Sequence, residues 1–281
     1  MISASEAVQI ILENTPLLGT EKVSLIDSLG RTLREDIVAD LDLPPFGNSA
    51  MDGYAVSSSD LLGAVSGGPL VLEIVGEASA GNVFDGKLRV GETVRIMTGG
   101  RIPDGADAVV PIEHVRLPDE KHVEISASVR RGQHVRQQGE DFRKGETVLH
   151  VGDGITPGSL GVLASLGHKR VGVFVRPEVN ILVTGDELVE IDEKPGEGQI
   201  RNSSSYALAG YVRHSGGAPN VLGIVSDKRK RLRKALKEAL DADVLLVTGG
   251  VSVGKYDFVK ETLDDLGVEV LFADGEFPDF V

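Results

Sequence analysis

The chain has no cysteine and no tryptophan. Without cysteine there is no disulfide and no thiolate metal site, a composition compatible with a reducing cytoplasm, where the protein is expected to reside. Aromatic residues make up only 4% of the 281 residues, so the cores are expected to be aliphatic. The six histidines are scattered, none at a spacing such as His-x-x-x-His, which leaves no zinc site. No apolar run approaches the roughly 20 residues a membrane span needs. The opening Met1-Ile2-Ser3-Ala4-Ser5-Glu6 lacks the basic and apolar regions of a secretory signal. Positive charge is short too: 29 Lys and Arg stand against 43 Asp and Glu, a net charge of −14. That balance argues against nucleic acid as a partner. It also repels an anionic substrate at long range, so such a substrate needs local N–H donors, a few cations or a metal ion.

What is present is 41% hydrophobic residues and 35 glycines, enough for two or three domains with many turns. Residues 5–14 read as an amphipathic helix capped by Ser3 or Ser5. Residues 24–36 read as a strand or short helix, and 41–55 as a Pro/Gly/Asn/Ser-rich loop. Between 70 and 149, short β-like runs at 70–75, 93–97, 108–111, 122–125 and 147–150 alternate with glycine turns, which favours a small all-β subdomain. Gly91-Glu92-Thr93-Val94 and Gly145-Glu146-Thr147-Val148 look like two similar hairpin openings. A helix at 156–166 and a strand at 170–176 lead out of that region.

From Pro177 onward the pattern changes. Strands at 179–183, 220–225, 244–247 and 268–272 alternate with helices at 202–215, 228–240 and 258–266. This alternation implies right-handed crossovers and a parallel sheet. Three loops at its strand ends carry polar groups: Thr184-Gly185-Asp186-Glu187, Ser226-Asp227, and Thr248-Gly249-Gly250-Val251-Ser252-Val253-Gly254-Lys255-Tyr256-Asp257. Strand-to-helix turns at such an edge expose backbone N–H groups to anionic ligands. Clustered carboxylates there suit Mg²⁺. Asp186 reads as a turn residue, Glu187 and Asp257 as functional, and Asp227 equally as a helix cap or a site residue.

The motifs, taken in order, resemble one family. They are Pro44-Pro45-Phe46-Gly47-Asn48-Ser49-Ala50-Met51-Asp52-Gly53-Tyr54-Ala55, Arg95-Ile96-Met97-Thr98-Gly99, the 103–111 run from Pro103 to Pro111, Arg136-x-x-Gly139-Glu140-Asp141, Thr184-Gly185-Asp186-Glu187-Leu188 and the Thr248–Asp257 loop. The chain resembles the molybdopterin molybdenumtransferases, the MoeA and gephyrin E-domain family, from about its first helix to Phe272. The resemblance implies a multidomain α/β plus β architecture. It has an elongated N-terminal region at 1–176 with an inserted β subdomain at about 45–145. A MogA-like molybdopterin-binding α/β domain follows at 177–281. It implies Mg²⁺-assisted insertion of molybdate into adenylylated molybdopterin with release of AMP, by a homodimer whose site is shared between subunits, downstream of a molybdopterin adenylyltransferase. Asp52, Thr98 and Asp141 would lie on the partner's side of the cleft, and Glu187, Asp227 and Asp257 on the α/β side. Thr184, Gly185, Thr248, Gly249, Gly250, Ser252 and Gly254 would receive the pterin or its phosphate, with Glu187 and Asp257 holding the metal.

The resemblance breaks at the end. Where the family continues with a Lys-Pro-Gly-Lys-Pro segment and a C-terminal β-barrel domain, this chain reads Ala273-Asp274-Gly275-Glu276-Phe277-Pro278-Asp279-Phe280-Val281. The expectation is a truncated, incomplete α/β domain with impaired turnover. The alternative is a non-catalytic molybdopterin-binding or scaffold module.

Overall fold

The computed structural model describes residues 2–63, 68–249, 258–272 and 275–276. It divides into two compact units. One, the mixed unit, comprises Met1–Glu35, Val151–Gly161 and His168–Val281; the other, the β unit, comprises Asp36–His150 and Val162–Gly167.

The mixed unit opens with helix α1 (Ala4–Asn14), started by Ser3. The Ser3 hydroxyl accepts the Glu6 N–H, and the Glu6 carboxylate accepts the Ser3 N–H at 2.8 Å, which satisfies two otherwise orphaned donors. Strand β1 (Thr20–Ser24) ends where the 24–36 segment begins, and that segment holds a short 3₁₀ turn at Ile26–Ser28 and isolated bridges at Thr32 and Leu33 instead of a strand.

In the β unit, β2 (Gly53–Val56), β3 (Leu70–Ala78), β4 (Glu92–Ile96), β5 (Ala108–Pro111), β6 (Val115–Arg116) and β7 (His122–Ile125) form one six-stranded sheet in the order β5-β2-β4-β3-β7-β6. Only the β3–β4 pair is parallel. Alternating side chains fill two cores: Tyr54, Val56, Leu72, Val110, Val123 and Ile125 in one, Ala55, Val94, Ile96 and Val109 in the other. The fully buried residues of both are aliphatic apart from Tyr54, and Phe84 packs partly buried against the second, in keeping with the scarcity of aromatics.

The two Gly-Glu-Thr-Val segments share a turn. In each, a carboxylate accepts the N–H three residues back (Glu92 from Arg89, 2.9 Å; Glu146 from Arg143, 3.1 Å) around a glycine at φ +85° or +88°. Their partners differ. Thr147–Leu149 leaves the six-stranded sheet aside and pairs with Ile37–Val38.

Helix α2 (Pro157–Ser165) starts where Thr156 and Ser159 cap each other reciprocally. Strand β8 (Arg170–Phe174) pairs antiparallel with β1. The buried Arg31 guanidinium pins the chain beside this ribbon, donating to Glu21 at 2.6 Å and to the Phe174 carbonyl at 2.8 Å.

The rest of the mixed unit is a crossover sheet. Strand β9 (Glu178–Thr184) is buried from Val179 to Thr184. Helix α3 (Ser204–His214) leads to β10 (Ala218–Val225), and α4 (Arg229–Ala239) leads to β11 (Val244–Thr248). Helix α5 (Val259–Asp265) follows. The order is β10-β9-β11, all parallel, with β9 in the centre. Leu232 and Leu236 of α4 and Val259 of α5 pack on Leu182. Buried Asn180 fixes the register, donating to the Ala239 carbonyl at 2.9 Å and accepting from Asn220 at 2.9 Å.

The strand expected at 268–272 is absent among the described residues, where Val270 and Leu271 are exposed. An apolar run becomes a strand only when a neighbour completes its ladder.

Candidate functional site

In the β unit the Pro44–Ala55 motif folds as a loop feeding β2. Ser49 and Ala50 pair outward to neighbouring segments: the Ser49 N–H donates to the Gly100 carbonyl and the Ala50 N–H to the His134 carbonyl, both at 2.9 Å. The next turn is closed by Ser49, whose hydroxyl accepts the Met51 N–H at 3.2 Å. This delivers Asp52 to the surface. Its Oδ1 accepts the Thr98 N–H and the Thr98 hydroxyl, both at 2.7 Å. Those two bonds, the backbone one first, hold the carboxyl below its usual range, and the Arg95 charge adds to the effect. So Asp52 and Thr98, 46 residues apart, form one ionised, pre-oriented pair. Asp141 is in the same unit and exposed, with its N–H donating to the Leu43 carbonyl at 2.9 Å. Its carboxylate takes no hydrogen bond from Asp52's surroundings among the described residues.

In the mixed unit the carboxyl ends of β9, β10 and β11 meet. Thr184 pairs with Val225, and Val183 with Thr248. Gly249 follows at φ +84°, and a Cβ there would lie 2.2 Å from the Thr184 carbonyl oxygen and 2.8 Å from Thr184 Oγ1. Only glycine permits that approach. Gly185 serves the Glu187 side chain in the same way: a Cβ on it would lie 2.6 Å from Glu187 Oε2. The Asp227 N–H donates to Asp186 Oδ1 at 3.4 Å, a long bond that draws the two loops together. Among the described residues Thr184 Oγ1 and Ser226 Oγ are buried with no hydrogen-bond partner. Two orphaned hydroxyls on one sheet edge are unusual and suit a ligand that supplies their partners.

Asp227 does not cap α4, whose N-cap is Lys228 with no side-chain bond. Its carboxyl is pushed up by burial first, then by the Asp186 charge, with Glu187 adding to it. Above the ordinary value of about 4 the folded chain holds this proton more tightly than the unfolded chain. Stability therefore falls as pH rises through the window up to the folded value, and stays lower above it. Asp227→Asn is expected to raise stability at pH 7 by less than about 1 kcal/mol, because solvent screens the pair. The gain should vanish below about pH 4. Urea unfolding at both pH values checks this, and an equal effect at both would contradict it.

The oxygen-only donors at this edge fit Mg²⁺, which keeps several waters and takes one or two protein carboxylates beside substrate phosphates. Among the described residues there is no cluster of three or more His, Asp or Glu that could hold a metal by itself. Gly250, Ser252, Gly254 and Asp257 lie outside the described residues. The sequence places Ser226 in a polar strand-end loop but assigns it no role; its position directly after strand β10, at the edge shared with Thr184, is the signal that could have given it one.

Residues 2–167 match the family model described as MoeA N-terminal region (domain I and II), and residues 180–277 match one described as Probable molybdopterin binding domain. The chain belongs to the MoeA family. It is 38% identical over 275 residues to a molybdopterin molybdenumtransferase of Bacillus subtilis, covering 96% of this chain and 64% of that protein. It is 37% identical over 269 residues to one of Haemophilus influenzae, covering 95% and 65%. A crystal structure of a molybdopterin biosynthesis MoeA protein from Pyrococcus horikoshii superposes with a TM-score of 0.78 at 36% identity, covering 89% of this chain and 66% of that one. The chain thus spans just under two thirds of the length of these MoeA relatives. Both candidate regions fall inside the matched segments. Among the described residues no helix is long and apolar enough to cross a membrane.

Proposed function

We propose that the chain acts in molybdenum cofactor biosynthesis, inserting molybdate into adenylylated molybdopterin with release of AMP. The observation that carries this reading is the β9–β10–β11 edge. Within the segment matching a molybdopterin-binding model, two orphaned hydroxyls, the Gly185 and Gly249 clearances and the carboxylates of Asp186, Glu187 and Asp227 converge. Thr184 and Ser226 offer hydroxyls to the pterin or its phosphate, and Thr248 and Gly249 bring backbone close to it. Glu187, with Asp257 from the adjoining loop, would hold Mg²⁺. The metal supplies charge neutralisation for the phosphoanhydride and polarises a phosphoryl oxygen. The chain's own contribution is positioning and electrostatic preorganisation.

The same reading assigns Asp52, Thr98 and Asp141 to the side facing the partner in a homodimer, divides the chain functionally at 176/177, and places it after a molybdopterin adenylyltransferase in the cytoplasm. The test is titration of the purified chain with molybdopterin and its adenylylated form, followed by AMP release on addition of molybdate and Mg²⁺. Saturable binding and AMP release that needs both additions are expected. Failure to bind either pterin overturns the proposal. Binding with no AMP release identifies a non-catalytic molybdopterin-binding module instead.

A further inference from the structure

We infer that Arg101 and Arg136, set on either side of Asn48, form a binding site for a tetrahedral oxyanion. Residues 47–50 form the middle of a three-segment ribbon in the β unit. On one side Ile102 donates to the Gly47 carbonyl and Gly99 to the Ser49 carbonyl, at 2.9 and 2.8 Å. On the other, Val135–Arg136 pairs antiparallel with Asn48–Ser49. Asn48 is thereby directly opposite Arg101 in one pairing and Arg136 in the other. Side chains directly opposite one another in antiparallel pairs share a face. The ribbon presents a row of Arg, Asn and Arg.

Both arginines are exposed, and among the described residues neither guanidinium takes a hydrogen bond or an ion pair. Asp85 and Asp104 share a cavity of about 120 Å³ with Arg101 but form no ion pair with it. Between the two cations the order reverses. Asn48 is 7% exposed; among the described residues its Oδ1 is buried with no partner and its amide nitrogen reaches only the Phe46 carbonyl, at 3.4 Å. An orphaned buried acceptor is costly, and a guanidinium is its natural complement. An arginine that turns inward can give one N–H to Asn48 Oδ1 and the rest of its fork to an oxyanion held between it and the second arginine. Asn48 is then a positioning residue, and the arginines make the contact.

In a chain of net charge −14, such a pair supplies the local cations that an anionic substrate requires. Asp52 follows Asn48 on one segment and Thr98 precedes Arg101 on the other, so the row adjoins that hydrogen-bonded pair. The inference depends on the proposed function only for the oxyanion's source, which is molybdate or a phosphate group of the pterin substrate.

The experiment is equilibrium binding of sodium molybdate and, separately, of inorganic phosphate to the full chain. Arg101→Gln and Arg136→Gln are each expected to weaken binding about tenfold, and the double variant about a hundredfold. Arg101→Lys should recover part of the loss. Thermal unfolding should not move, since neither side chain has a partner to lose. Asn48→Ala should weaken binding severalfold, and Asn48→Asp, whose negative charge competes for the arginines and repels the oxyanion, should weaken it at least as much. Tighter molybdate than phosphate assigns the site to molybdate; the reverse assigns it to phosphate. Wild-type affinity in the double variant, or no saturable binding of either anion by the wild type, overturns the inference. Asp227→Asn separates it from the pterin reading, because it should keep oxyanion binding while losing the adenylylated pterin.

Discussion

Gly53→Ala is expected to destabilise the β unit by about 3–5 kcal/mol. A Cβ at Gly53 would lie 2.0 Å from the Val110 carbonyl oxygen, 2.9 Å from the Val110 carbonyl carbon and 3.0 Å from Pro111 Cα. All three are backbone atoms of the neighbouring strand β5, so no rotamer change clears them. The strands would have to separate at the pair Gly53–Pro111, next to Tyr54–Val110 and Ala55–Val109. Tyr54 and Val110 are both core residues at 1% exposure. Ladder bonds worth about 1 kcal/mol each would be lost together with that packing. Gly81→Ala provides the control: its φ is +82° but nothing lies within 4 Å of the added carbon, so about 1 kcal/mol is expected. Urea unfolding of both variants tests the argument, and a Gly53→Ala cost no larger than that of Gly81→Ala would refute it.

One residue earlier the expected outcome is opposite. Asp52→Ala should leave the chain folded and reduce cofactor formation about a hundredfold or more, the scale of losing a positioned ionised group. The carboxylate is solvent-facing and contributes to no core. What it does is accept two 2.7 Å hydrogen bonds from Thr98, which fix its direction and keep it charged. Asp52→Asn separates the two effects, since the amide oxygen can still accept from Thr98 but carries no charge. Activity lost in both variants assigns the role to the charge; activity kept in Asp52→Asn assigns it to orientation alone. Mixing Asp52→Ala with Asp227→Ala chains tests the homodimer. Regained activity is expected if each site draws Asp52 from one subunit and Asp227 from the other. Mixtures that remain inactive would contradict a shared site.

Much of the mixed unit could be read in advance. The buried run of β9, the Ser3 and Pro157 helix starts, and the apolar period of α4 are local patterns, each contained in one or two turns or a single strand. The repeated Arg-x-Gly-Glu-Thr turn is local too. Asp227 shows where that legibility stopped. A carboxylate just before a helix reads equally as a cap and as a site residue. The choice depended on Asp186 and Glu187, some 40 residues earlier, whose charges only the folded sheet brings to it.

By itself the sequence determined the aliphatic character of the cores, the alternation of strand and helix after Pro177, and the ordered motifs that mark the family. These follow from side-chain chemistry and short-range periodicity, which act within a window of a few residues. The tertiary structure alone decided which strand each run pairs with. Thr147–Leu149 joins Ile37–Val38, and the 268–272 run joins no described strand. Tertiary structure also decided why Gly53 and Gly249 must be glycine, how Thr98 reaches Asp52, and that Arg101, Asn48 and Arg136 stand in one row. Each of these is a close approach between segments distant in sequence. Its geometry is set by the ladder partner and by the volume left between backbones, and neither quantity is encoded in any local stretch of the chain.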